Sequence, residues 1–429
     1  MPSTARLDQE ERRLRVLVLA STFPRWPGDT EPPFVFNLSR ALAERFDVTV
    51  LAPHAPGARK HETMDGVAVE RFGYFWPESA QRLAYGGMLP NLKRNRWLWG
   101  QVPLFLAAQL LAANRLVRQK QIDVVHAHWV VPQGIVAALL GLMTRRPVVV
   151  TAHGGDIYGV RGSAQDALKR WVLRHCARVT AVSHDLGGAI EKLGSTQKTD
   201  VISMGIDTTR FRPSRRDKRL RAELAPDGPL LLFVGRLAEK KGVRYLIDAL
   251  PAVLEQHRTA RLAIVGDGAL RDDLEARVRE LGLEAHVVFT GAKRPEQLPA
   301  YFATADVFIG PSIVAEGGDT ESFGLVFAEA MASGCAVVGS DVGGVRELVR
   351  NGETGVLVSP RDTVALAEAV SKLIGDPGLR ARLARNGRLR VRRLFDQGSI
   401  ADRYAAVLQE VATPSNDNCE PATQRLKVA

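Results

Sequence analysis

Short apolar runs recur along the chain, each followed by a polar loop rich in Gly or Pro and then by a stretch with helical spacing. In the first half these runs are RVLVLA (15–20), DVTVLAP, GVAVERF (66–72), IDVVHAH, RPVVVTAH and RVTAVS. In the second half they are GPLLLFVG, RLAIVG, HVVFTG, ADVFIG, AVVGS and TGVLVS. Uninterrupted apolar runs of this length are the pattern of strands buried on both faces, as in parallel sheets. Helices are expected from near Phe34 to about Arg45, up to about Val117, from about Gln133, after an N-cap at Ser183, from about Gly242, from about Gly324, and from Thr363 to about Phe395. Alternation of strand and helix predicts an α/β protein. The 429 residues are enough for two doubly wound, Rossmann-like domains of about 200 residues each.

The segment PSIVAEGGDTESFGLVFAEAMASGCAVVGS (311–340) contains the sharpest chemistry. It leaves a strand at Gly310, crosses a polar loop, enters a helix at about Gly324 and returns as a strand. In such a unit the loop at the strand's C-terminal end is where ligands bind. Phe323 stands at the turn, and the N–H groups of Gly324, Leu325 and Val326 would point at one spot, which suits a phosphate. Glu321 lies in the loop and Glu329 more than a turn into the helix, placed to reach a ribose hydroxyl pair. Val326, Phe327, Ala328, Ala330 and Met331 make this helix apolar nearly all round, so it is buried and its carboxylate needs a partner. The bland alternative is a solvated Glu on an ordinary helix.

Other strand ends agree. Arg236 and Lys241 bracket a strand-to-helix loop, where side-chain cations and the helix dipole add to make an anion site. Gly266 belongs to a Gly-Asp-Gly turn of the kind that approaches nucleotides. His126 and His128 end one strand and His153 the next, lining a cleft, with His128 and Trp129 placed to read an acceptor. Gly28 lies in the Pro-rich loop after the first strand, again at the ligand face.

The pattern ESFGLVFAEAMASG resembles the signature of glycosyltransferase family 4, group 1: retaining enzymes of GT-B fold with two glutamates separated by seven residues. The resemblance implies two facing domains. Residues 1–210 would form the acceptor domain and 211–395 the nucleotide-sugar domain, with the passage between them near Thr208 to Arg215. A last helix, 396–412, would cross back onto the first domain, leaving a polar, disordered tail at 413–429. It implies that Arg236 and Lys241 clamp the diphosphate, that His153 and Glu321 position the transferred sugar, and that backbone around Ala292 and Lys293 meets the base. The donor would be a UDP-sugar or GDP-sugar, with no cofactor. The chain departs from the family by having only Gly28 where a Gly-Gly pair is frequent, and Met204 where Asn is frequent. The Phe-Pro opening and Phe-Val helix start resemble a subgroup acting on polysaccharide or lipid-linked sugars.

Composition narrows the partners. Hydrophobic content of 45% and charged content of 24% are those of a globular protein. The three cysteines, Cys176, Cys335 and Cys419, are far apart and lack zinc spacing, as expected in a reducing, cytoplasmic compartment. The N-terminus reads as no signal peptide, and no run of 18 apolar residues predicts a membrane span. No Asp-x-Asp occurs, which fits a metal-independent transferase. Residues 1–213 carry 28 Lys and Arg against 18 Asp and Glu, whereas 214–429 carry 30 against 29. The basic first half suggests an anionic partner rather than mere solubility. No nucleic-acid recognition motif is present and aromatics at 6% offer no stacking platform, so no nucleic-acid partner is expected. Lys93, Arg94 and Arg96 interleaved with Trp97 and Trp99 beside an apolar helix suggest peripheral contact with an anionic membrane, at the inner face of the plasma membrane. The rival is a core helix with a solvated approach.

The reading is a hexosyltransferase moving sugar from a nucleotide-sugar donor to a sugar or lipid-linked acceptor in cell-surface polysaccharide or glycolipid synthesis. The alternatives are a sugar-nucleotide epimerase of the same fold, which would consume donor without acceptor, and a non-catalytic sugar-nucleotide binding module.

Overall fold

The computed structural model of the chain describes residues 12–195 and 199–413; the polar N-terminal stretch and the tail from 414 onward lie outside the described residues. The first half supplies β1 (Arg15–Leu19), β2 (Asp47–Pro53), β3 (His61–Met64), β4 (Val67–Phe72), β5 (Val124–His128), β6 (Val148–Ala152), β7 (Arg178–Ala181) and β8 (Thr199–Val201). They form one sheet in the order β3-β4-β2-β1-β5-β6-β7-β8, parallel except for β3. The second half supplies β9 (Leu230–Val234), β10 (Arg261–Val265), β11 (Val287–Gly291), β12 (Val307–Gly310), β13 (Ala336–Ser340) and β14 (Val356–Val358). Their order is β11-β10-β9-β12-β13-β14, parallel throughout.

Both orders reverse direction once, between β1 and β5 in the first sheet and between β9 and β12 in the second. A crevice opens beyond the strand ends at such a switch point, because the adjoining loops run to opposite faces. The central strands are buried along their whole length, as the unbroken apolar runs require: β5, β6, β9, β12 and β13 have no exposed residue.

The chain passes between the domains twice. The outgoing segment pairs with the returning one: Ile206 N–H donates to the Phe395 carbonyl at 2.8 Å and Gln397 N–H to the Ile206 carbonyl at 2.9 Å. The Thr208 hydroxyl donates to Asp396 at 2.6 Å. The final helix, Gln397–Ala412, then lies on the first domain, where it meets the Phe34–Ala43 helix, β5 and β6. Tyr404 is its anchor, fully buried, with its hydroxyl donating to the Ile202 carbonyl at 2.9 Å.

The Leu325–Ala332 helix is seated by one side chain. Phe327 is 1% exposed and its ring covers Gly310 of β12 and Gly339 of β13. A Cβ on Gly339 would fall 2.7 Å from that ring. Only glycine lets the helix approach the sheet this closely. Gly339→Ala is therefore expected to lower stability by about 1–3 kcal/mol through overpacking. Thermal unfolding checks this; an unchanged Tm would show that the helix can lift off freely.

Candidate donor site

A cavity of about 360 Å3 lies between the two switch points. The second domain lines it with Gly235 and Arg236 after β9, Gly266 and Asp267 after β10, Ala292 and Lys293 after β11, and Leu325, Val326 and Glu329 of the buried helix. The first domain adds the loop from Thr30 to Phe34 together with Asn37 and Arg40 of the helix that follows. The crossing segment closes one side with Asp207 and Arg210. Seven of the candidate residues named above therefore share one hollow: Arg236, Gly266, Ala292, Lys293, Leu325, Val326 and Glu329.

The helix start faces the cavity without a side-chain cap. Gly324 occupies a left-handed conformation, φ 85°, and no side chain caps the helix. The first-turn N–H groups of a helix have no intrahelical partner, and here that turn, with Leu325 and Val326, borders the cavity. Arg236 stands opposite, exposed, its Nη1 donating to the Gly86 carbonyl across the domain gap at 3.0 Å. Gly86 in turn donates its N–H to Glu31 at 2.8 Å. Glu31, whose carboxyl is pushed up by burial, carries no signal in the sequence that singles it out. Neither do Asn37 and Arg40, nor Asp207 and Arg210 within the crossing segment.

Lys241 and Glu321 stand beside the cavity rather than on its wall. Their side chains form an ion pair, both largely buried. Burial raises the Glu321 carboxyl, yet Lys241, Lys240 and the Gly324 N–H outweigh it and hold the group below the usual carboxylate range. Glu329 forms no ion pair among the described residues. Burial pushes it up to about 7, with Arg210 and Lys241 drawing it only partly back.

The remaining candidates fall into two groups. Gly28 sits outside the cavity on the loop whose later residues line it, facing Glu296 of the second domain. Phe323 is 5% exposed and packs its ring on Phe395, so it holds the loop and does not face a ligand. His153 packs against Phe34 and Trp129, with ring centroids at 5.1 and 4.9 Å, and borders the cavity through Phe34. Its loop abuts that of Glu321: Gly154 lies directly against Ser322.

The expectation that His128 reads the acceptor needs correcting. His128 is fully buried, because β5 is covered on both faces. Its Nδ1 lies 2.9 Å from His153 Nε2, and its ring packs at a tilt against His126, which meets Tyr404 of the last helix. Burial drives His126 and His153 down to about 3 and His128 well below its ordinary value, so all three are neutral near pH 7. One ring of the His128–His153 pair must then donate to the other, which fixes the His153 ring. Asp156 fixes its backbone, accepting N–H groups from Val130 at 2.6 Å, His153 at 3.1 Å and Gly154 at 2.8 Å.

Comparison with known proteins decides the family. Residues 33–210 match the family model described as Glycosyltransferase Family 4, and residues 214–390 the one described as Glycosyl transferases group 1. The chain is 33% identical to the GDP-mannose-dependent alpha-(1-6)-phosphatidylinositol monomannoside mannosyltransferase of Mycolicibacterium smegmatis, over 87% of its own length and 92% of that relative's. It belongs to the group 1, family 4 glycosyltransferases. An uncharacterized glycosyltransferase of Methanocaldococcus jannaschii is 31% identical over 70% of this chain and 78% of that one. Sucrose-phosphate synthase from Thermosynechococcus elongatus is a structural neighbour, with a TM-score of 0.75 at 25% identity, covering 93% of this chain and 99% of that one. The fold is GT-B, and this family 4 member is a transferase using a nucleotide sugar rather than an epimerase or a bare binding module.

The raised Glu329 carboxyl gives a stability prediction with a definite sign. Below about pH 4 the group is neutral in both folded and unfolded chains and has no effect. Between about 4.5 and 7 the unfolded chain has lost the proton while the fold still holds it, so stability falls across that window and the loss is complete above about 7. Glu329→Gln is therefore expected to stabilise the protein at about pH 8, by about 1–3 kcal/mol, and to leave it unchanged at about pH 4. Thermal unfolding at the two pH values distinguishes this from a carboxylate that is simply well paired, which would give the opposite sign at the higher pH.

Proposed function

We propose that this glycosyltransferase retains configuration at the anomeric carbon, works without a metal ion, and transfers a hexose from a UDP-sugar or GDP-sugar to an acceptor in cell-surface polysaccharide or glycolipid synthesis at the inner face of the plasma membrane. The observation that carries the reading is the single hollow in which Arg236, a buried helix start and Glu329 meet. The diphosphate sits between Arg236 and the Leu325–Val326 backbone, where fixed dipoles and a side-chain cation act in a partly water-excluded site. Glu329 accepts from the ribose hydroxyls. Lys293, Ala292 and Gly266 flank the base.

The transferred sugar then extends toward the Lys241–Glu321 pair and the loop of His153. The acceptor oxygen bonds to the anomeric carbon as the bond from that carbon to the phosphate oxygen breaks. The acceptor proton leaves toward the departing diphosphate. Arg236 and Lys241 hold the charge that builds there, which supports the metal-independent reading. A relative named for GDP-mannose and a phosphatidylinositol monomannoside makes that pair the first donor and acceptor class to assay.

Arg236→Ala, Lys241→Ala and Glu329→Ala are each expected to cut turnover by about ten-fold or more. A thermal-shift screen over nucleoside diphosphates and their sugars identifies the donor for that assay. Near-normal rates in all three variants would remove the site. An inverted anomeric product, or loss of activity on chelation, would overturn retention or metal independence respectively.

A further inference from the structure

The part of the first domain that the donor site does not use is residues 73–118. This stretch holds six Lys and Arg against one Asp or Glu. It begins at the rim of the cleft. Gly86 receives Arg236, Leu89 lies against Gly159, and Lys93 Nζ approaches Gly317 on the loop that carries Glu321. The Met88–Arg94 helix thus forms one lip of the opening.

Immediately beyond that lip is a tight turn, Arg96–Gly100. Asn95 caps it by accepting the Trp97 N–H at 3.0 Å, and Leu98 is buried beneath it. The turn is therefore held in shape, and what it holds outward is Trp97, 90% exposed, and Trp99, 58% exposed. Gln101 at the start of the next helix donates to the Ala80 carbonyl at 2.9 Å, which brings the turn after Trp76, itself 85% exposed, to the same end of the domain. The Gln101–Gln119 helix continues the surface. Leu104, Ala107 and Leu111 are exposed at helical spacing on one face, and Arg115 and Arg118 follow on it. Among the described residues, Lys93, Arg94, Arg96, Arg115 and Arg118 make no ion pair.

Rigidly presented tryptophans ringed by unpaired cations match the interface of a bilayer carrying anionic headgroups. Indole rings are favoured at headgroup level, and each nearby Lys or Arg is drawn to the negative surface. A protein partner would call for an apolar centre with satisfied polar edges, whereas here the cations flank the rings unpaired. Among the described residues no helix is long and apolar enough to cross a membrane, so attachment through this surface is peripheral.

We infer that the 88–111 surface docks on anionic phospholipid with the cleft mouth at the bilayer, so that the acceptor is an amphiphile whose sugar projects from the headgroup layer into the cleft. The docking stands on the surface itself; the class of acceptor rests on the proposed transfer. The test uses the full chain with vesicles of phosphatidylcholine alone or containing about one-third phosphatidylglycerol, read by co-sedimentation and by tryptophan fluorescence. Binding is expected to anionic vesicles only, weakening with salt. Arg94→Ala/Arg96→Ala should weaken it roughly five-fold per cation removed. Trp97→Ala/Trp99→Ala should weaken vesicle binding and reduce the fluorescence shift to what Trp76 alone reports. Both variants should keep the wild-type nucleotide-induced rise in Tm, which shows that they are folded. Equal binding to neutral and anionic vesicles, or wild-type binding by both variants, overturns the inference. So does a wild-type dimer that Trp97→Ala/Trp99→Ala splits while vesicles bind neither form. Selective vesicle binding with no nucleotide-induced shift in the wild type would leave the docking intact and remove the donor-site reading instead.

Discussion

A carboxylate on an otherwise apolar helix, pressed against a sheet, is the constraint on which this site depends. The Leu325–Ala332 helix cannot sit elsewhere, because Phe327 fills the space above two glycines on neighbouring strands. With its axis fixed, the direction of its first-turn N–H groups and the reach of Glu329 are fixed too. The consequence is a carboxyl displaced to about 7 by burial. Sites that must bind polar ligands commonly hold groups that the fold alone would exclude. The opposite wall of the hollow comes from a different domain.

What keeps the two walls in register is the double crossing. Ile206 and Asp396 bridge the outgoing and returning segments, and the final helix then carries Tyr404 to His126. From there a row of packed imidazoles runs through His128 to His153. Neutral rings in a dry interior hold each other by tautomer-specific hydrogen bonds and close packing, so they transmit position and not charge. The helix at the end of the described chain thereby supports the loop that faces Glu321.

Much of the fold is legible in the sequence because parallel strands buried on both faces leave unbroken apolar runs. The elements that escape notice lack that signature. Strand β3 is HETM, an edge strand with His61 and Thr63 exposed and only Met64 buried, so it shows no apolar run at all. The Ser163–His175 helix buries only Lys169, Val172 and Leu173, and the Arg271–Glu280 helix only Leu274 and Val278, so their patterns are mostly polar. In the site, the strand-end rule brings Arg236, Gly266, Lys293 and Glu329 to one place, since each follows a strand of the same sheet or lies on the helix after it. Glu31, Asn37 and Arg40 are invisible to it, because apposition of two domains leaves no local pattern. The expectation for His128 fails because a strand end suggests exposure, whereas here a crossing helix covers the face that His126 and His128 share.

The two glutamates of the signature are shifted in opposite directions, and the difference bears on the proposed chemistry. Glu321 is drawn below the usual range by Lys241 and Lys240 despite its burial, whereas Glu329 is raised to about 7. Environments that push paired carboxyls apart assign them different tasks. An ionised Glu321 has no proton to give a departing diphosphate; it can only accept hydrogen bonds, as an orienting group for sugar hydroxyls would. In the proposed transfer the acceptor hydroxyl supplies the proton that reaches the diphosphate, and the cations Arg236 and Lys241 stabilise charge. Glu329, near neutrality on its own, gains most from ligands that donate to it, because two hydroxyl donors favour the ionised form that burial opposes. The hollow is thus complementary to a ligand that is anionic at one end and a hydrogen-bond donor at the other.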